Sequence, residues 1–95
     1  MLTSKQRAKL RGMANTLPAL YQIGKDGITE NTIKQFQDAL EARELIKVHV
    51  LENAMEDTRT VAEEAAKRVG AETVQIIGSK FVLYKKSTKN PVIEL

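Results

Sequence analysis

Two glycines flank a lysine and an aspartate in Gly24-Lys25-Asp26-Gly27, and this spacing is the most specific chemical feature of the chain. Glycine lets a backbone approach a phosphate without obstruction by a Cβ atom. The segment precedes a helix that Thr29 can cap, so backbone N–H groups and the positive end of the helix dipole converge there. Lys25 adds a positive charge and Asp26 removes one. The pattern indicates a tight turn, which either serves the chain reversal alone or also binds phosphate.

The same segment lacks the spacing of the common nucleotide-binding loops. Neither G-x-x-x-x-G-K-[ST] nor G-x-G-x-x-G occurs in the chain. An enzyme acting on a phosphorylated substrate here would depend on His49, the single histidine. His49 could act as a general base, stack on a nucleobase, or be an ordinary exposed residue of a strand beside Lys47. An enzyme is therefore the weakest of three hypotheses for this chain.

Metal and thiolate chemistry have little support in the composition. The chain has no cysteine, which excludes disulfides, thiolate metal ligands and cysteine nucleophiles. Two acidic groups could suggest a hard metal ion, but acids are common in loops and at helix starts. These groups are Glu52 with Glu56 and Asp57, and the pair Glu63-Glu64. We predict no metal, no cofactor and no enzymatic activity.

The length of 95 residues indicates one domain over 1–95. The hydrophobic fraction of 42% and the charged fraction of 28% are typical of globular proteins. No apolar run approaches the roughly 20 residues that cross a bilayer. A folded helix explains the basic beginning of the chain better than a targeting peptide does. We expect a soluble, cytoplasmic, monomeric protein with no membrane partner.

The net charge of +3 conceals a segregation of charge along the chain. Residues 1–25 carry +5, residues 26–64 carry −6 and residues 65–95 carry +4. A fold that brought the two ends together would place a basic surface beside an acidic one, and a basic surface attracts polyanions in a salt-dependent way. Solvation of ordinary helix faces by these lysines and arginines is the alternative.

The basic beginning of the chain is predicted to form a helix. Thr3 and Gln6 have the spacing of a capping box. An apolar stripe of Leu10, Met13, Ala14 and Leu17 follows, and Pro18 is expected to end the helix. The cations Lys5 and Lys9, and Arg7 and Arg11, are spaced four residues apart. Such like-charge pairs destabilise an isolated helix, which suggests an anionic partner.

The remaining pattern predicts a strand at 19–23, a helix from Thr29, a strand at 45–51 and a helix capped by Asp57 or Thr58. Strands at 73–77 and 80–84 follow, joined by a type II′ turn at Gly78-Ser79. The strand-helix-strand order at 19–51 suggests a parallel pair. The predicted class is α/β, with the order α-β-α-β-α-β-β and one mixed sheet. The end of the chain, 87–95, reads as a loose tail.

Taken together, these segments resemble the CRM domain, the chloroplast RNA splicing and ribosome maturation domain, in its stand-alone bacterial YhbY-like form. The residues that carry the resemblance are a basic capped helix, Leu17-Pro18, 22–29, 44–48, 74–78 and 82–84. The resemblance implies a four-stranded mixed sheet with three helices, similar to the C-terminal domain of the third bacterial initiation factor. It also implies RNA binding through a KH-type GXXG loop that clamps the nucleotide backbone.

Some individual residues match the family more specifically than others. Gly24, Lys25, Asp26 and Gly27 match the loop, and Thr29 matches the start of the helix behind it. The cations of the first helix match the positive character of the family without matching a fixed motif; they are Lys5, Arg7, Lys9 and Arg11. Bacterial members are associated with precursors of the large ribosomal subunit, which implies ribosomal RNA as the partner.

A second hypothesis comes from a different class of function. The acidic segment 26–64 could bind another protein, which would make the chain an adaptor on the ribosome. Survival of partners after nuclease treatment would distinguish this adaptor from an RNA-binding module.

Overall fold

Seven elements make up the computed structural model, which describes residues 2–95. In chain order they are α1 (Ser4–Ala14), β1 (Tyr21–Ile23), α2 (Glu30–Arg43), β2 (Leu45–Val50), α3 (Thr58–Val69), β3 (Glu72–Ile77) and β4 (Lys80–Tyr84). The predicted fold class and the predicted order of elements are confirmed.

Side chains that cap the helices fix where each helix begins. Thr3 and Gln6 form the predicted capping box of α1. Thr29 caps α2, where Thr32 supplies the reciprocal hydrogen bond. Of the two residues proposed for α3, Asp57 is the cap, because its carboxylate accepts the backbone N–H of Thr60 at 2.8 Å.

The first helix is shorter than the sequence pattern predicts. It ends at Ala14, well before Pro18, because the chain turns at Asn15 and the Leu17 N–H bonds to the carbonyl of Ala14 at 3.0 Å. Leu17 still packs against the sheet, but Met13 remains 40% exposed. The buried side of α1 therefore consists of Leu10 and Ala14.

The four strands lie in the order β1-β2-β4-β3. The predicted parallel pair is confirmed, since β1 runs parallel to β2 with Ile23 opposite Val50. The two remaining pairings, β2 with β4 and β3 with β4, are antiparallel. Gly78 has a φ of 56°, as the first residue of a type II′ turn requires.

Hydrophobic side chains cover the two faces of the sheet unequally. On one face, α2 and α3 enclose a core that includes Phe36, Val48 and Phe81, each fully buried. On the other face, α1 covers only a smaller cluster: Leu10, Ala14, Leu45, Val74, Val82 and Tyr84. Tyr84 is 7% exposed in this cluster, so it has the packing role that the sequence favours rather than a ring exposed for stacking.

The C-terminal segment 87–95 contains no helix or strand, yet it is bound to the end of α2. The fully buried carboxylate of Glu44 accepts the backbone N–H groups of Ser87, Val92 and Ile93 at 2.6–2.7 Å. The carboxylate of Glu41 accepts the N–H of Thr88 at 2.9 Å. The segment is therefore held more firmly than the sequence indicates.

Candidate nucleic-acid interface

The segment Gly24–Gly27 forms an exposed turn at the end of β1. The Gly27 N–H donates to the carbonyl of Gly24 at 3.0 Å, which places Lys25 and Asp26, both exposed, at the tip. Gly27 has a φ of 67°, a conformation that favours glycine. At Gly24 a Cβ atom would lie 3.3 Å from Oδ1 of the exposed Asn53, a close contact that a small movement of the Asn53 side chain would relieve.

The start of α2 lies directly behind this turn. Thr29 Oγ1 accepts the Thr32 N–H at 3.1 Å, and Thr32 Oγ1 accepts the Thr29 N–H at 3.3 Å. Ile28 and Ile33 pack against the main core on either side of the cap, as a hydrophobic staple does. The turn is thus fixed to the positive end of a helix of 14 residues. Its own charges, Lys25 and Asp26, nearly cancel.

One cation beside the turn was not anticipated from the sequence. Arg68, in the last turn of α3, donates to the carbonyl of Ile28 at 3.4 Å and forms an ion pair with Glu64 at 3.6 Å. The two side chains of the ion pair are about 40% exposed. No spacing rule connects positions 28 and 68, so only the packing of α3 against α2 reveals this neighbour.

Three of the four cations of α1 lie at the other end of the strands. The Arg7 guanidinium donates to the carbonyl of Thr73, near the start of β3, and the Lys9 ammonium donates to the carbonyl of Glu94. Lys5 and Lys9 are exposed and border a shallow cleft with Leu95, while Arg11 occupies the last turn of the helix. The structure therefore does not bring Lys5, Arg7 or Lys9 together with the turn.

Two further lysines lie on the sheet between these regions. Lys47 is on the sheet face that α1 covers in part, as the alternation of β2 predicts, and Lys80 is the partner of His49 in the β2–β4 pairing. His49 is half-buried and also pairs with Gln22 of β1. This row of residues connects the strand that precedes the turn to the middle of the sheet.

The acidic residues considered as metal ligands are dispersed. Within residues 2–95, no three histidine or acidic side chains are close enough to hold a metal ion. Asp57 is engaged as a helix cap, and hydrogen bonds from the Thr60 backbone and side chain hold the pKa of its carboxyl below the usual value. None of the helices described over 2–95 is both long enough and apolar enough to cross a bilayer.

Comparison with known families and sequences gives a consistent result. Residues 2–85 match the family model of the CRS1/YhbY (CRM) domain. The chain is 52% identical over 95 residues to "Probable RNA-binding protein YqeI" of Bacillus subtilis, which covers 100% of this chain and 99% of that protein. It is 34% identical over 86 residues to an "RNA-binding protein" of Haemophilus influenzae, covering 90% of this chain and 87% of that one.

A solved structure shows the same fold. The solution structure of a hypothetical protein from Staphylococcus aureus, described as a candidate RNA-binding protein, superposes with a TM-score of 0.82. The two chains are 50% identical, and the alignment covers 100% of this chain and 99% of that one.

Proposed function

The chain belongs to the CRS1/YhbY (CRM) domain family, and on that premise we propose that it binds RNA, with ribosomal RNA in precursors of the large subunit as its target. Relatives from two bacteria carry RNA binding in their names. The choice of ribosomal RNA follows from the association of bacterial members of the family with large-subunit precursors.

The observation that carries the proposal is the exposed Gly24–Gly27 turn in front of α2. Backbone N–H groups and the dipole of a helix N-terminus favour an anion in such a place. The open space beside Gly27 leaves room for a sugar-phosphate chain to lie against the backbone there. Because Lys25 and Asp26 nearly cancel, the turn would hold the RNA mainly through backbone groups, with Lys25 contributing one phosphate contact.

The four cations of α1 would make a second, separate contact with the same RNA. Lys5 and Lys9 are exposed, Arg7 and Arg11 are half-buried, and Arg7 contacts the start of β3. Because Arg7 lies at the end of the strands opposite to the turn, an RNA must span the length of the strands to touch both places. A folded ribosomal RNA element meets this requirement.

Crosslinking in cells, followed by sequencing of the attached RNA, tests the class of partner and the target together. We expect reads concentrated on large-subunit ribosomal RNA and its precursors. Reads spread over messenger RNA would contradict the ribosomal target, and an absence of RNA above an uncrosslinked control would contradict RNA binding.

A protein-binding adaptor remains the second candidate, and one observation favours it. Met55 is 84% exposed in the acidic loop between β2 and α3, where Glu52 and Glu56 are also exposed. Purification of the tagged chain from nuclease-treated and untreated lysate separates the two functions. If the chain binds RNA, ribosomal partners are expected to disappear from the purified material after nuclease treatment. If it is an adaptor, the partners are expected to persist after nuclease treatment and to be absent when the Met55→Ser variant is purified.

A further inference from the structure

The sheet face that carries α1 is only half covered. The helix contacts β2 and β3 and packs Leu10 and Ala14 near the start of β2 and the end of β4. Toward the other end of the strands, the same face presents a group of mainly polar side chains. We call this group the open sheet face; it consists of Lys47, His49, Gln75, Ile77 and Lys80.

A groove runs along this face beside the end of α1. Its volume is about 200 Å³, and Asn15, Lys47, Gln75, Ile77, Lys80 and Val82 line it. The groove is smaller than the roughly 300–1,000 Å³ clefts that hold drug-sized ligands. It therefore suits a flat group of the size of a single nucleobase.

The chemistry of the groove fits a nucleotide. Asn15 and Gln75 carry amides that both donate and accept hydrogen bonds, as the edge of a base requires. Ile77 is 58% exposed and offers an apolar surface to the face of a base. Lys47 and Lys80 supply positive charge, and no member of the open sheet face is acidic.

The open sheet face is continuous with the strand that leads into the turn. Gln22, two residues before Gly24, pairs with His49, and His49 pairs with Lys80. Lys80 in turn pairs with Ile77. These four residues form a row across all four strands, with three strand spacings of about 4.8 Å between its ends.

From this juxtaposition we infer that the open sheet face binds a single-stranded segment of the RNA. One unpaired base occupies the groove against Ile77, and Lys47 and Lys80 contact the adjoining phosphates. The inference rests on the proposed RNA binding and adds that part of the target is unpaired, because bases within a duplex cannot lie flat on a sheet.

Fluorescence anisotropy with a short labelled oligoribonucleotide, used alone and annealed to its complement, tests this inference. We expect Ile77→Ser to weaken binding of the single strand about fivefold, because an apolar contact is lost, and to leave duplex binding unchanged. Lys80→Ala should reduce the log–log salt slope for the single strand by about 0.7. Lys67→Ala is the matched control, since Lys67 is an exposed lysine of α3 on the opposite face.

The variant Lys25→Ala separates failure of this inference from failure of the proposed function. If Lys25→Ala weakens RNA binding while Ile77→Ser and Lys80→Ala bind as the wild type does, the open sheet face is not a binding site and the turn remains one. Equal losses for single strand and duplex would also overturn the inference. If the wild type binds a structured ribosomal RNA fragment but neither oligoribonucleotide, the inference fails and the proposed function stands; if it binds none of the three RNAs, both fail.

Discussion

Gly27 shows at the residue scale how local geometry selects an amino acid. Its φ is 67°, while no heavy atom lies within 4 Å of the place a Cβ would occupy. The need for glycine is therefore conformational, and an L-residue in this region costs about 1–2 kcal/mol. Gly12, within α1, has equally open surroundings and an ordinary helical backbone.

These two glycines should respond oppositely to alanine. We expect Gly27→Ala to lower the free energy of unfolding by about 1 kcal/mol, and Gly12→Ala to raise it by about 1 kcal/mol, because alanine is the better helix former. Urea denaturation of the two variants measures both effects. A Gly27→Ala variant as stable as the wild type would show that the turn does not require the left-handed conformation.

The structural role of Glu44 could not be predicted from the sequence. It has a φ of 65° without being glycine, and its side chain is fully buried. Burial opposes ionisation of its carboxyl, but the backbone N–H groups of Ser87, Ile93 and Val92 outweigh burial and hold the pKa below the usual value. These partners lie 43–49 residues further along the chain, beyond the reach of any local pattern.

Replacing Glu44 by glutamine tests this arrangement. In Glu44→Gln, the amide group presents N–H donors toward backbone N–H donors, so we expect a loss of about 2 kcal/mol in the free energy of unfolding. Glu63→Gln is the control, because Glu63 is an exposed acid of α3. Equal stability of the two variants in urea would contradict the role given to Glu44.

At the scale of elements, the helix caps and the hydrophobic periodicity could be predicted from the sequence. The residues at which elements end were predicted less well. Thr3 and Thr29 cap the first two helices as predicted, and Asp57, one of the two residues proposed, caps the third. The end of α1 was placed too late, because Pro18 only excludes a longer helix and does not require the helix to reach it. The binding of 87–95 could not be predicted, because it depends on carboxylates of α2 that are distant in sequence.

The attachment of the C-terminal segment should depend on pH. Hydrogen bonds from the Thr88 side chain and backbone lower the pKa of Glu41, and the pKa of Glu44 is lowered as well. Because the pKa is lower in the folded state, the unfolded state binds more protons than the folded state as the pH falls. The stabilisation is therefore complete above about pH 5 and is lost as the pH falls below about 4.

Amide hydrogen exchange of Val92 and Ile93, measured as a function of pH, checks this expectation. After correction for the intrinsic exchange rate, protection should be constant from pH 7 to about pH 5 and should decrease below about pH 4. Loss of protection between pH 7 and pH 6, with no change in acid, would assign the attachment to other groups.

For the molecule as a whole, the order of helix and strand patterns in the sequence was enough to predict the fold. The positions of the cations in the folded molecule could not be predicted in this way. Strand-helix-strand spacing predicts the parallel β1–β2 pair, since the helix between the two strands carries the chain back so that the second strand runs in the same direction. No local pattern in the sequence specifies which face of the sheet α1 covers. As a result, Arg7 and Lys9 lie at the opposite end of the strands from the turn, while Arg68 lies beside it.

The central claim is that the Gly24–Gly27 turn holds a sugar-phosphate chain. The most direct test of this claim is the salt dependence of RNA affinity. The affinities of wild type, Lys25→Ala and Lys89→Ala for one structured ribosomal RNA fragment would be measured over a range of salt. Lys89 is an exposed lysine of the C-terminal segment and serves as the control. We predict that Lys25→Ala weakens binding and flattens the log–log slope by about 0.7, as loss of one single-strand phosphate contact requires, while Lys89→Ala changes neither. An unchanged slope and affinity in Lys25→Ala would contradict the claim.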